Sequence, residues 1–109
     1  MKDDRAYLLH IREAVDKIAE YTKDGRTAFL SDPKTQDAVL RKLEVIGEAV
    51  KHLSSSARAR ASETPWRAIS GLRDKLIHEY FGVNLPLVWE VVERDLPALR
   101  VSVESLLGT

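Results

Sequence analysis

Cysteine is absent from the 109 residues, which removes disulfides, thiolate zinc sites and cysteine nucleophiles from consideration. Net charge is absent too: 17 Lys and Arg balance 17 Asp and Glu. The chain therefore lacks the global cationic field that drives non-specific nucleic-acid binding, although a small local phosphate site is compatible with that balance. No run of 18 apolar residues occurs, and the opening "MKDDRAYLLHIREAV" carries charges through its apolar positions. Membrane insertion and secretion are not expected, and the cytoplasm is the default compartment. His10, His52 and His78 each stand without a second histidine three or four residues away, so no helical metal pair is presented and no metal is expected. The glycine-containing turns lack P-loop and dinucleotide spacing, and no serine sits in a nucleophile elbow. A bound cofactor and conventional NTPase or hydrolase chemistry are thus not expected.

What is present is helical periodicity. Leu8, Ile11, Val15 and Ile18 recur at steps of three and four, which predicts an amphipathic helix over about 3–24. Gly25 is a natural stop, and "GRTAFLSDP" has the chemistry of a loop. Asp32 and Pro33 are suited to the N-cap and first position of a second helix over about 33–54. Its seam is Val39, Leu43, Ile46, Val50 and Leu53, of the kind that packs against another helix at a shallow angle. Gly47 interrupts that helix, either because another backbone approaches closely or because the glycine clears space beside Glu48. "SSSARARASET" breaks the period and reads as a polar loop. A third helix is expected over about 65–81, opening at Thr64 and Pro65 and stopping at Gly82. Asn84 can cap a fourth segment, which Pro97 should kink or split near 95–97. No stretch alternates at strand period and no internal repeat is evident. The expected fold is all-α, an up-and-down bundle of four to five helices forming a single domain over residues 1–109. A chain of this length buries roughly two thirds of its unfolded surface.

The third helix carries the unusual residues, in "GLRDKLIHEYFGVN". Arg73 falls on the same broad stripe as Ile69, Leu72, Leu76 and Tyr80, the stripe that should be buried. A desolvated guanidinium needs an anionic or carbonyl partner. That partner is either Glu48 or Glu44 of the second helix, in a structural ion pair, or the phosphate of a ligand. His78 follows Arg73 by five residues, about 140° around an ideal helix, so the two do not share a face. Taken alone His78 reads as a boundary residue, and Tyr80 as a core aromatic with its hydroxyl at the rim.

In context, "LRDKLIHEYFGVNLPLVW" resembles the signature of the HEPN superfamily, specifically its HepT-like toxins. The pattern is arginine, a polar residue, three further positions, histidine, any residue and tyrosine, here Arg73, Asp74, Lys75 to Ile77, His78, Glu79 and Tyr80. "RKLEVIGEAVKHLS" and the tryptophan followed by "DLPAL" are also similar to this family, so the resemblance covers nearly the whole chain. Asp74 stands where many relatives have asparagine.

The resemblance implies a homodimer whose third helices form a shared cleft with two copies of Arg73 and His78, which also lets residues on different sides of one helix meet across a two-fold axis. It implies a metal-independent endoribonuclease toxin of a type VII-like toxin–antitoxin pair, acting on an RNA substrate. Arg73 would hold the scissile phosphate and His78 would move protons, with Asp74 and Glu48 in support. It further implies a cognate MntA-like nucleotidyltransferase antitoxin that silences the site by AMPylation of Tyr80. The alternative is a non-catalytic subunit that presents a nucleotide or other substrate to that nucleotidyltransferase. Between Arg58 and His78 five basic residues (Arg58, Arg60, Arg67, Arg73, Lys75) face two acidic ones, a local excess that could guide an RNA backbone.

Overall fold

The computed structural model describes residues 3–77 and 82–108, without the side chains of Arg73, Leu76 and Ile77. The described residues are all helical in their regular structure: α1 (Asp4–Tyr21), α2 (Gly25–Ser31), α3 (Pro33–Lys51), α4 (Ser55–Ala59), α5 (Trp66–Ser70), α6 (Leu72–Ile77), α7 (Leu85–Glu90), a π turn (Val91–Asp95) and α8 (Leu96–Leu107). None of these helices is long and apolar enough to cross a membrane.

α1 begins on Asp3, whose carboxylate accepts from the Ala6 amide, and buries Leu8, Ile11, Ala14, Val15 and Ile18. Most of that stripe packs on α3. α3 starts as its sequence predicts, with Pro33 in the first turn and the Asp32 side chain accepting from the Lys34 amide and the Thr35 hydroxyl. Its seam of Val39, Leu43, Ile46 and Val50 is buried, and Leu53 just beyond is buried with it. The two helices run antiparallel. Asp4 accepts from the amide and hydroxyl of Ser54 at 2.8 and 2.6 Å, and one turn later Tyr7 stacks on His52.

Four expected features differ. "GRTAFLS" is helix α2, which Gly25 opens with φ +92° and which buries Phe29 against Trp89 at 5.6 Å between ring centroids. The polar "SSSARARASET" contains α4, capped by the Ser54 hydroxyl. The third helix is broken at Gly71, whose amide is shared between the carbonyls of Arg67 and Ala68 at 3.2 Å each, and α6 restarts at Leu72. Thr64 is not the cap of α5: it is buried, and its hydroxyl meets that of Ser102 on α8 at 2.7 Å.

The fourth segment behaves as Pro97 requires. Asn84 caps α7 through the Leu87 amide. The helix then widens into the π turn, closed by a Leu96 amide to Val91 carbonyl bond, immediately ahead of the residue that has no amide to give. The buried residues track this change: Val91 and Leu96 are five apart, whereas Leu96, Leu99, Val103 and Leu106 step by three and four. α8 lies antiparallel to α1, tied by Arg12 to Glu104 at 2.9 Å and by Arg100 to both carboxylate oxygens of Asp16 at 2.6 and 3.2 Å. The hydrogen bond from Arg100 holds the Asp16 carboxyl below its ordinary range.

Candidate functional site

α3 meets the α5–α6 pair at a glycine. A Cβ on Gly47 would sit 3.3 Å from the Ser70 carbonyl oxygen and 3.5 Å from that of Ile69. Close approach of another backbone is therefore what Gly47 permits. With the backbones this near, Glu44, one turn before Gly47, and Glu48, next to it, share a groove of about 580 Å³ with Ser70 and Asp74. Tyr7 and His10 of α1 line the same groove, as do Arg41, Lys51 and His52 of α3.

Two of the residues assigned as supporting, Glu48 and Asp74, thus line one groove. Glu48 is 67% exposed in its side chain, with the Lys51 ammonium 3.8 Å and the His52 Nε2 3.7 Å from its carboxylate. Asp74 is exposed in the first turn of α6. Arg73 precedes it in the same turn, which brings its backbone to the α3-facing helix, but its side chain lies outside the described residues, as do His78 and Tyr80. The roles of Arg73, His78 and Tyr80 accordingly rest on the sequence motif. Among the described residues no group of three or more His, Cys, Asp or Glu is placed to hold a metal ion.

The basic residues ahead of the motif divide differently from the sequence expectation. Arg58 donates to the carbonyls of Val50 and Lys51 at 2.8 and 3.3 Å, finishing the C-terminus of α3, and Arg60 donates to the Leu106 carbonyl near the end of α8. Both guanidiniums are occupied with helix ends that would otherwise expose unpaired carbonyls. Trp66 locks the same corner through its indole N–H, shared between the carbonyls of Arg58 and Ala61. Arg58 and Arg60 are structural, and the local positive excess overstates what is available to a phosphate chain.

Sequence reasoning missed the grouping on the other side of the groove. Tyr7 stacks on His52 with centroids 5.0 Å apart and planes 13° from parallel, and presents its edge to His10 at 6.3 Å. Spacing along the chain cannot reveal this group, because it is created by antiparallel pairing of α1 and α3. The signal available was the half-buried pair Asp4 and Ser54, which fixes the register of that pairing.

An all-helical bundle with the Arg73 to Tyr80 motif beginning beside a polar groove defines the class as a HEPN-like helical protein. The chain belongs to the HepT-like family: the family model described as "Ribonuclease HepT-like" matches residues 11–106. It is 44% identical over 108 residues to "Putative RNase TTE0752" of Caldanaerobacter subterraneus subsp. tengcongensis, covering 98% of this chain and 96% of that protein. It is 42% identical over 106 residues to "Probable ribonuclease HepT" of Thermococcus cleftensis, covering 96% of each. Against the "Gamma-glutamylcyclotransferase and putative RNase MJ0434" of Methanocaldococcus jannaschii it is 43% identical over 97% of its own length but spans 48% of that larger protein. No solved structure matches the chain.

Proposed function

We propose that this protein is a metal-independent endoribonuclease toxin, a homodimer whose shared cleft is built on α6 of each protomer. The observation that carries the reading is the HepT-like ribonuclease match over residues 11–106, which includes the whole Arg73 to Tyr80 motif. In this reading the protein supplies the chemistry from its own side chains. The RNA 2′-hydroxyl attacks the adjacent phosphorus, the 5′-oxygen leaves, and a cyclic phosphate remains. His78 moves the protons, a task that suits the imidazole side chain. Arg73 offers a fork of donors to the non-bridging oxygens and stabilises the charge gained in the transition state. Glu48 and Asp74 line the groove between α3 and the start of α6 and are the supporting residues of this reading.

Regulation follows from the same motif. Tyr80, two residues beyond His78, is the acceptor for AMP transferred by an MntA-like nucleotidyltransferase, the antitoxin of a type VII-like pair. Each added nucleotide brings a phosphate charge to the place where RNA phosphate must bind. The experiment is direct. Unmodified protein is incubated with tRNA and mRNA in excess chelator, and cleavage is expected that Arg73→Ala and His78→Ala each abolish while the oligomeric state is kept. Intact RNA overturns the ribonuclease; activity surviving both substitutions overturns the site. After incubation with the nucleotidyltransferase and ATP, a mass increase of one or more AMP units is expected, and its persistence in Tyr80→Phe would place the acceptor elsewhere.

A further inference from the structure

Where α1 meets the α7–α8 segment, the fold leaves a polar group without use. Trp89 is 8% exposed and packs its ring on Phe29, yet its indole N–H meets no acceptor in the protein. The Trp66 indole, by contrast, is shared between two carbonyls. Buried donors are nearly always bonded, so an orphan calls for a reason. Among the described residues one other buried side-chain atom is unpartnered, the Arg58 Nε, and its guanidinium already donates to two carbonyls through another nitrogen. An indole has one donor and no such substitute. Trp89 lines a groove of about 410 Å³ walled by Ile18 and Ala19 of α1, Val92 of the π turn, and Leu96 and Pro97 of α8. This groove shares no lining residue with the one between α3 and α6.

The π turn adds an acceptor to that donor. The Val92 carbonyl lacks both amides that α or π register could offer it, because that of Leu96 goes to Val91 and Pro97 has none. Helix carbonyls point along the axis toward later residues, so this oxygen stands between Val92 and Pro97, which both line the groove. Other polar groups here are engaged: the Thr22 hydroxyl donates to the Ile18 carbonyl, and Asp16 and Arg100 hold each other. Glu93 contributes an exposed carboxylate. Past Pro97 and Arg100 the surface runs on to Val101, the large apolar side chain left 71% exposed.

We infer that this groove docks a segment of a partner polypeptide in which an apolar residue stands beside a basic one. The apolar side chain enters against Trp89, a backbone carbonyl of the segment accepts from the indole, and a backbone amide donates to the Val92 carbonyl. Its lysine or arginine meets Glu93. A polypeptide is the occupant because it brings an acceptor and a donor together, and because the apolar track to Val101 is longer than a compact molecule would use. The inference is independent of the ribonuclease reading.

The test uses the full chain labelled with 15N and reads its two indole N–H signals, with the doubly bonded Trp66 as internal reference. Three capped peptides are titrated in turn: acetyl-Leu-Val-Lys-amide, acetyl-Leu-Val-Glu-amide and acetyl-Gly-Gly-Lys-amide. The first is expected to move the Trp89 signal downfield and saturably while Trp66 stays in place. It should bind about threefold more tightly than the glutamate peptide, as an exposed ion pair allows, and the glycine peptide should move neither signal. Ala19→Phe, at an exposed position on the groove wall, should block the shift, and Glu93→Gln should erase the difference between the first two peptides. An unmoved Trp89 signal, an equal shift with the glycine peptide, or a shift that survives Ala19→Phe would each overturn the docking site. Equal binding of the lysine and glutamate peptides to the wild type would overturn the basic partner. A Trp89 signal that moves with protein concentration alone would give the groove to a second copy of the chain instead. The wild-type titration decides even where a variant misfolds, and RNA cleavage enters none of these readings.

Discussion

Single side chains in this protein separate into those that finish helices and those left to a ligand, and the separation does not follow charge. Arg58 looks like a phosphate contact in the sequence, yet its guanidinium closes the C-terminus of α3 through two carbonyls. Arg58→Ala removes that donor and leaves the carbonyls short of partners, a loss of about 1–3 kcal/mol expected in denaturant titration. The salt dependence of RNA binding should not change with it, and a shallower slope would return Arg58 to the RNA path. Gly47 is a second case. Its hydrogen stands where a Cβ would press on the Ser70 carbonyl at 3.3 Å, and that neighbour is backbone, which cannot swing aside. Gly47→Val should therefore destabilise by about 1–3 kcal/mol, with α3 and α5 pushed apart and the groove widened.

At the scale of elements, legibility in the sequence follows length. α1 and α3 repeat their apolar step over about three and four turns, so their buried faces, their approximate extent and the Asp32 cap of α3 were readable, while the end of α1 at Tyr21, ahead of Gly25, was not. α2 buries only Phe29 and α4 only Ala57, and one buried residue makes no period. The break at Gly71 was hidden because the apolar stripe runs on across it from Ile69 to Leu72. The motif that identifies the family was legible as a string of residues, but the Tyr7, His10 and His52 group was not, because it is made between elements. The pairing of α1 with α8 carries its own prediction. Asp16 is held below its ordinary value of 3.8 by the hydrogen bond from Arg100 and by its charge. A carboxyl depressed in the folded state stabilises above its unfolded value and loses that contribution as pH falls through the folded one. The melting temperature of the wild type should exceed that of Asp16→Asn near neutrality. The gap should close below 3.8 and shrink in high salt, since half of the Asp16 side chain is exposed. A gap that persisted in strong acid would mean that the carboxyl shape, not its charge, supports α8.

The whole molecule is where the catalytic proposal meets geometry. Arg73 and His78 stand about 140° apart on an ideal helix, so a cleft made by two protomers can pair the arginine of one with the histidine of the other. Mixing inactive Arg73→Ala and His78→Ala protomers should then regain part of the cleavage activity, because each mixed dimer rebuilds one complete pair. No recovery after verified subunit exchange would mean that each pair comes from a single chain.

The π turn between α7 and α8 has a comparable reach. An extra residue in one turn rotates everything beyond it by about 100° relative to an uninterrupted helix. The side chains of α8 that meet the rest of the bundle, Ser102 toward Thr64 and Arg100 and Glu104 toward α1, face their partners only because of that offset. The turn acts as a phase setting for the C-terminal helix. Removing one residue between Val91 and Asp95 would restore an ordinary helical pitch with Val91 and Leu96 four apart, so α8's apolar seam would stay on the core, whereas inserting one further residue would turn that seam away by about 100°.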